Sequence, residues 1–354
     1  MNLSRLRGEM QARAMDAVFV TSELNQRYLL NYAFTDGLLV ITQKHAYMVT
    51  DFRYFEEAQK CADPAFEVVI PELRTAFITD ALAGDGCKTV GYEDHSLTVA
   101  EFARYGELYP NVEFVPMGTM IEEIRQIKLP EEVAYMKRAQ SITDAAFSHI
   151  LKVLDPNMTE AEVALELEFE MRRLGADGIA FETIAVSGDA SALPHGHPRN
   201  EKLHRGFLTM DFGARYNGYC SDMTRTVVIG RADAEMKHLY NTVLRAQTEA
   251  LAAMRAGADC AALDKIARDI IDNSGYRGTF GHSLGHGVGL FIHEGPGLSS
   301  RAQGKLLKAG QVVTDEPGIY LPGKYGCRIE DMILIEENGY YDFTQSPKDL
   351  IEIL

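Results

Sequence analysis

Two stretches of the 354-residue chain set pairs of carboxylates around turns. In MDFGARYNGYCSDMTRT (210–226), Asp211 and Asp222 flank Asn217-Gly218, a dipeptide suited to a two-residue hairpin turn. Their spacing centres the loop between Tyr216 and Asn217 and places the two aspartates opposite each other. In TDEPGIYLPGKYGCRIEDM (314–332), Glu316 and Glu330 are equidistant from Gly323, inside Leu321-Pro322-Gly323-Lys324. Like charges opposite each other destabilise a sheet. Apolar neighbours such as Leu208, Met210, Val227, Val228, Ile319, Met332 and Ile333 predict partial burial, where an unpaired carboxylate is costly. A single pair reads as two solvent-facing acids, but two pairs in one chain point to a compensating cation.

GHSLGHGVGLFIHEGP (281–296) supplies a candidate imidazole. His282 and His286 stand four apart, a metal-pair spacing on a helix, yet Gly281, Gly285, Gly287 and Gly289 argue against a helix. A glycine-rich strand that approaches a ligand closely fits better. On one continuous strand, the seven-residue offset would turn His293 to the face opposite His286. Both reach one site only if the stretch bends or bulges at Gly287 and Gly289. SALPHGHP (191–198) adds His195 and His197 on a loop, His195 as a catalytic candidate and His197 as an exposed side chain. Four carboxylates and an imidazole can hold two divalent ions about 3.5–4 Å apart around an activated water. Such an oxygen-rich set suits Mn²⁺, Fe²⁺, Co²⁺ or Zn²⁺ alike. Cys220 and Cys327 lie near these residues without an activating base at motif spacing, so thiol chemistry is the poorer reading.

The elements that must position these groups fall into two parts. Residues 2–15 read as a helix. Short strands at 17–22, 38–42, 46–51, 66–70, 89–93 and 112–117 alternate with helices near 53–61, 74–83 and 98–107, which predicts an α/β domain with a parallel or mixed sheet. A boundary at Ile127-Lys128-Leu129-Pro130 divides a domain 1–127 from a domain 128–354. Pro130 opens a long helix, and Thr159 caps another that ends near Gly175. Two further helices, 232–256 and 259–273, and several strand-like runs make the second domain α+β, with helices covering a curved, mainly antiparallel sheet.

Taken in order, PHG, DFGA…SDMTRT, GHGVGL…HEGP, DEPGIY and RIED resemble the creatinase/aminopeptidase family with the "pita-bread" fold. Within it they look most like the branch of Xaa-Pro dipeptidases (prolidases) and Xaa-Pro aminopeptidases. The resemblance covers residue 128 to the end, and the first third looks like that branch's accessory domain. It implies Asp211, Asp222, His286, Glu316 and Glu330 as ligands of two divalent ions, manganese being the first candidate. Asp222 and Glu330 would bridge both ions, Asp211 would hold one, and His286 with Glu316 the other. It also implies that His195, His282 and His293 line the substrate site, with Tyr320 and Arg328 in support. The implied activity is hydrolysis of peptide bonds to proline in dipeptides or short peptides, with Glu316 carrying the proton and a homodimer as the assembly. Dipeptidase is the first reading, and an aminopeptidase acting on longer peptides is the alternative. A metal-free creatinase-like hydrolase would not need all five ligands, and a non-catalytic peptide-binding relative would typically lack some.

The sequence departs from the branch at three places. Asp315 precedes Glu316 where an apolar residue is common; alternation turns it to the other sheet face, away from ligation. Gly295 stands where a bulkier residue is frequent, and Asn31 of RYLLNYAF where the branch often carries glycine.

A net charge of −16 argues against nucleic-acid or anionic-membrane partners, which need a basic face. Five scattered cysteines without a CxxC pair fit reduced thiols in the cytoplasm. No apolar run approaches the ~20 residues of a membrane span.

Overall fold

The structure, a computed structural model, describes residues 2–354. Its chain separates into two compact units, the first ending at Arg125 and the second running from Gln126 to Leu354.

The first unit is built on a mixed six-stranded sheet. Its strands lie in the order Glu67–Val69, Ala46–Val49, Leu38–Thr42, Ala17–Val20, Thr89–Tyr92 and Glu113–Pro116. Leu38–Thr42 pairs antiparallel with both Ala17–Val20 and Ala46–Val49, and the three other pairs are parallel. Ala17–Val20, central in the sheet, is wholly buried, as its unbroken apolar run AVFV requires. Phe19 meets the rings of Tyr105, Tyr109 and Phe114 at centroid distances of 5.6, 5.4 and 5.7 Å.

Two helices were not expected from the sequence. Met120–Gln126 is one; the other, Glu23–Leu30, covers much of RYLLNYAF. It ends at Asn31 with φ 50° and ψ 28°. That left-handed conformation favours glycine and admits asparagine, so the departure at this position keeps the same helix stop.

In the second unit, Pro130 occupies the first turn of the helix Pro130–Val153. Thr159 and Glu162 form the expected capping box on Glu160–Arg173. Phe147, Ile150, Leu167 and Met171 from this pair pack with Leu208, Met210 and Phe212 of the strand Gly206–Phe212. The second helix pair, Ala234–Ala252 and Cys260–Ile271, packs Leu239, Val243 and Leu263 with Ile319, Ile329 and Ile333. The pairing of these strands is antiparallel throughout except for the short Glu352–Ile353 against Met223–Ile229.

The expected sheet is broken into separate ladders, with breaks at three of the four acids, while Asp211 stays inside the strand Gly206–Phe212. Asp222 lies between Tyr219–Cys220 and Met223–Ile229. Glu316 lies between Val312–Asp315 and Gly318–Leu321, and Glu330 between Tyr325–Arg328 and Asp331–Glu336. Pro317 has no amide hydrogen to give the ladder, which interrupts the pairing beside Glu316.

The second hairpin has the expected register. Gly318 pairs with Arg328, and Asp315 with Asp331, so Glu316 and Glu330 stand opposite each other across the interruption. The first hairpin differs. Arg215 pairs with Cys220, and Tyr216 with Tyr219, which centres the turn on Asn217-Gly218, whose φ angles are 47° and 82°. Both residues take the positive φ of a type I′ turn. Asp211 therefore faces Thr224, with Asp222 two residues further along. An even offset keeps Asp222 on the face that Asp211 occupies.

Candidate metal centre

The two hairpins and the glycine-rich segment converge on one point. Asp222, His286 and Glu330 each present a ligand atom, and these atoms lie within 4.8 Å of one another. Glu316 joins them through Oε1, 3.4 Å from Nε2 of His286, and the same Nε2 is 3.5 Å from Oδ2 of Asp222. Asp211 presents Oδ1, buried and without a hydrogen-bond partner, while its Oδ2 accepts from Arg328 at 2.6 Å.

His286 shows which species this point is built to receive. Its Nδ1 lies 3.1 Å from the carbonyl oxygen of Gly287, which can only accept. The ring proton therefore sits on Nδ1, and the Nε2 lone pair faces the carboxylates. Burial lowers the pKa of this imidazole to about 4, which keeps it neutral. Burial also pushes Glu316 up to about 8, and it raises Asp222 and Glu330 well above the carboxylate range, with neighbouring acids adding to the effect. Acceptors converging on acceptors, with an orphaned carboxylate oxygen beside them, fit a divalent cation.

His293 reaches the centre through a bend of the glycine-rich stretch, as its offset from His286 required. The chain turns back after Gly287, so that Glu294 pairs antiparallel with Gly287. The rings of His286 and His293 come to 4.4 Å between centroids. Gly287 permits this return, because a Cβ there would lie 2.2 Å from the carbonyl oxygen of Gly295. Glycine at 295 leaves the Gln126 side chain against that strand; a Cβ would come within 2.7 Å of its amide nitrogen.

Of the supporting groups, His282 gives its Nδ1 to the Ser283 carbonyl at 2.9 Å, and its Nε2 faces the Tyr320 hydroxyl at 2.8 Å. Arg328 donates to that hydroxyl at 2.7 Å, to Asp211 and to Thr224, and to the Pro194 carbonyl at 3.3 Å. Tyr320 and Arg328 thus link His282 to Asp211. His195 and His293 line the same cavity and are exposed to it, and His197 lines it beside Glu182.

Sequence reasoning missed two threonines. The Thr224 hydroxyl donates to Oε2 of Glu330 at 2.6 Å, and the Thr314 hydroxyl lies 3.2 Å from Oε1 of Glu316. Each stands two residues from an acid, Asp222 and Glu316, and that alternation could have shown them to share the ligand face. Asp315 points elsewhere, as expected. It is buried opposite Asp331, and its carboxyl is raised first by burial and then by that neighbour.

Residues 134–337 match the metallopeptidase family M24, and residues 2–127 match the creatinase/prolidase N-terminal domain. The chain is a member of metallopeptidase family M24. It is 41% identical over 265 residues to an Xaa-Pro dipeptidase of Pyrococcus furiosus, covering 75% of this chain and 76% of that protein. Among solved structures, this M24 peptidase resembles an Xaa-Pro dipeptidase from Bacillus anthracis (TM-score 0.95, 41% identity, 99% of each chain). It also resembles an X-Pro aminopeptidase from Thermotoga maritima (TM-score 0.91, 34% identity, 96% of this chain and 98% of that one). The M24 assignment makes the protein a peptidase that uses divalent metal, in keeping with the acceptor cluster.

Proposed function

We propose that the protein hydrolyses Xaa-Pro dipeptides, with Asp211, Asp222, His286, Glu316 and Glu330 as ligands of two divalent ions, manganese first among the candidates. The observation that carries this reading is the meeting of both acidic hairpins and the free Nε2 of His286 in one cavity of about 390 Å³. That volume lies within the usual range of about 300–1,000 Å³ for small-molecule sites and accommodates a dipeptide. In this reading residues 128–354 carry the chemistry, and 1–127 form an accessory domain.

Bound at this centre, the ions would supply Lewis acidity and an acidified water. The chain's part is to orient groups and move a proton. The Thr314 hydroxyl engages Oε1 of Glu316, so Oε2 is the oxygen left to accept the water proton. The prolyl nitrogen of an intact Xaa-Pro bond carries no hydrogen. As the new carbon–oxygen bond forms and the C–N bond breaks, that nitrogen needs a proton, which Glu316 delivers. His195 and His293 donate to the oxyanion of the tetrahedral intermediate. Arg328, engaged by Asp211, Tyr320 and Thr224, holds the site in shape.

Likeness to the Thermotoga aminopeptidase favours a second reading, removal of Xaa from longer Xaa-Pro peptides. Comparing Ala-Pro with Ala-Pro-Ala-Ala in the presence of Mn²⁺ separates the two. The proposal expects the dipeptide to be preferred, and preferential cleavage of the tetrapeptide would replace it with the aminopeptidase reading. We further propose a homodimer in the cytoplasm. All five cysteines are free thiols, and no helix among the described residues is long and apolar enough to cross a membrane. A monomer in sedimentation at assay concentration would contradict the dimer.

A further inference from the structure

One carboxylate in the cavity wall takes no part in the acceptor cluster. Glu182 lines the cavity with its side chain 89% exposed, which puts it at the mouth, whereas Asp222 and Glu330 are buried and Glu316 is half-buried. His197 Nδ1 lies 3.9 Å from its Oε2, beyond hydrogen-bond distance, so that contact does not consume the charge. The same wall carries apolar surface from Phe181 and Ile184, and Ile292 lines the cavity with them. Apolar surface beside a negative charge at the rim matches a side chain with an aliphatic stem and a cationic head.

We propose that Glu182 is a specificity-determining residue that favours substrates whose N-terminal residue is lysine or arginine. The inference rests on the Xaa-Pro reading. In any such dipeptide a single carbon separates the α-ammonium from the scissile carbonyl carbon, so the ammonium stays near the acceptor cluster. Only a long side chain reaches the mouth. The proline end carries a carboxylate that Glu182 repels, which directs the N-terminal residue, and not the proline, to this wall.

The test is the ratio of kcat/KM for Lys-Pro to that for Ala-Pro, measured on the full-length protein with Mn²⁺. Glu182→Gln should lower the ratio about three- to fivefold, the scale of one exposed ion pair. Glu182→Lys should lower it further and raise the ratio for Glu-Pro over Ala-Pro. Added salt should reduce the wild-type preference, because the pair is solvent-exposed. If both peptides are cleaved and neither variant moves the ratio, the assignment of Glu182 is wrong while the Xaa-Pro reading stands. If the wild type cleaves neither peptide, the Xaa-Pro reading fails and this inference falls with it.

Discussion

Nη1 of Arg225 donates a 2.7 Å hydrogen bond to the carbonyl oxygen of Glu330. The same guanidinium binds Oδ1 of Asp331 at 2.8 Å and the carbonyls of Ser346 and Pro347. Arg225 and Asp331 are both buried, so this pair forms a brace on the backbone of a candidate ligand. Asp331 faces away from the centre, where Lys348 and Gln247 also engage it.

Replacing Arg225 with methionine removes the brace and leaves part of a buried carboxylate uncompensated. The metal-free variant should lose about 3–5 kcal/mol of unfolding free energy in urea, the usual cost of breaking a buried pair from one side. Its Mn²⁺ affinity should fall as well, because the Glu330 carbonyl loses its anchor. Wild-type stability together with wild-type affinity would show that the brace has no role.

Metal removal should leave a pH signature. Without metal, burial holds Glu316 at about 8 against an ordinary 4.5 and raises Asp222 and Glu330 in the same direction. The folded chain then keeps protons that the unfolded chain has released, so stability falls as pH rises. Below about pH 6.5 the depressed imidazoles of His282 and His286, each near 4, act in the opposite direction. Between pH 6.5 and 8 those imidazoles are neutral in both states, and the carboxyls dominate. The Tm of metal-free protein should fall across that window, and Mn²⁺ binding should release protons. A rising Tm, or binding without proton release, would contradict the assignment.

His293→Ala should lower kcat roughly 10²–10³-fold, the loss typical of an oxyanion donor, with metal content unchanged. Loss of metal would make His293 a ligand, which its 4.4 Å ring contact with His286 leaves room for. Unchanged kinetics would make it structural.

The parts of this centre that were legible in the sequence are those fixed by local turn chemistry. Pro322-Gly323 sets the register that brings Glu316 and Glu330 opposite each other. The first hairpin was displaced because Asn217 and Gly218 both adopt positive φ and centre the turn on themselves. What stayed hidden depends on residues far apart in the chain. The helix Glu23–Leu30 is held at its start by Glu93, which accepts from the Ser22 amide and the Asn25 side chain, both at 2.7 Å. No local pattern announces that contact. The return at 287–294 was legible only as a required bend or bulge at Gly287 and Gly289; its form, an antiparallel pairing of Gly287 with Glu294, was not.

In the proposed enzyme, Asp222, His286 and Glu330, with Asp211 and Glu316, would form a two-metal catalytic centre. Elemental analysis of Mn²⁺-reconstituted protein, paired with Ala-Pro hydrolysis, tests it most directly. Wild type should hold two ions per chain and cleave the dipeptide, and Glu330→Gln and Asp222→Asn should lose metal and activity together while keeping the fold. Full activity in protein that holds no metal, or in either variant at full metal content, would contradict it.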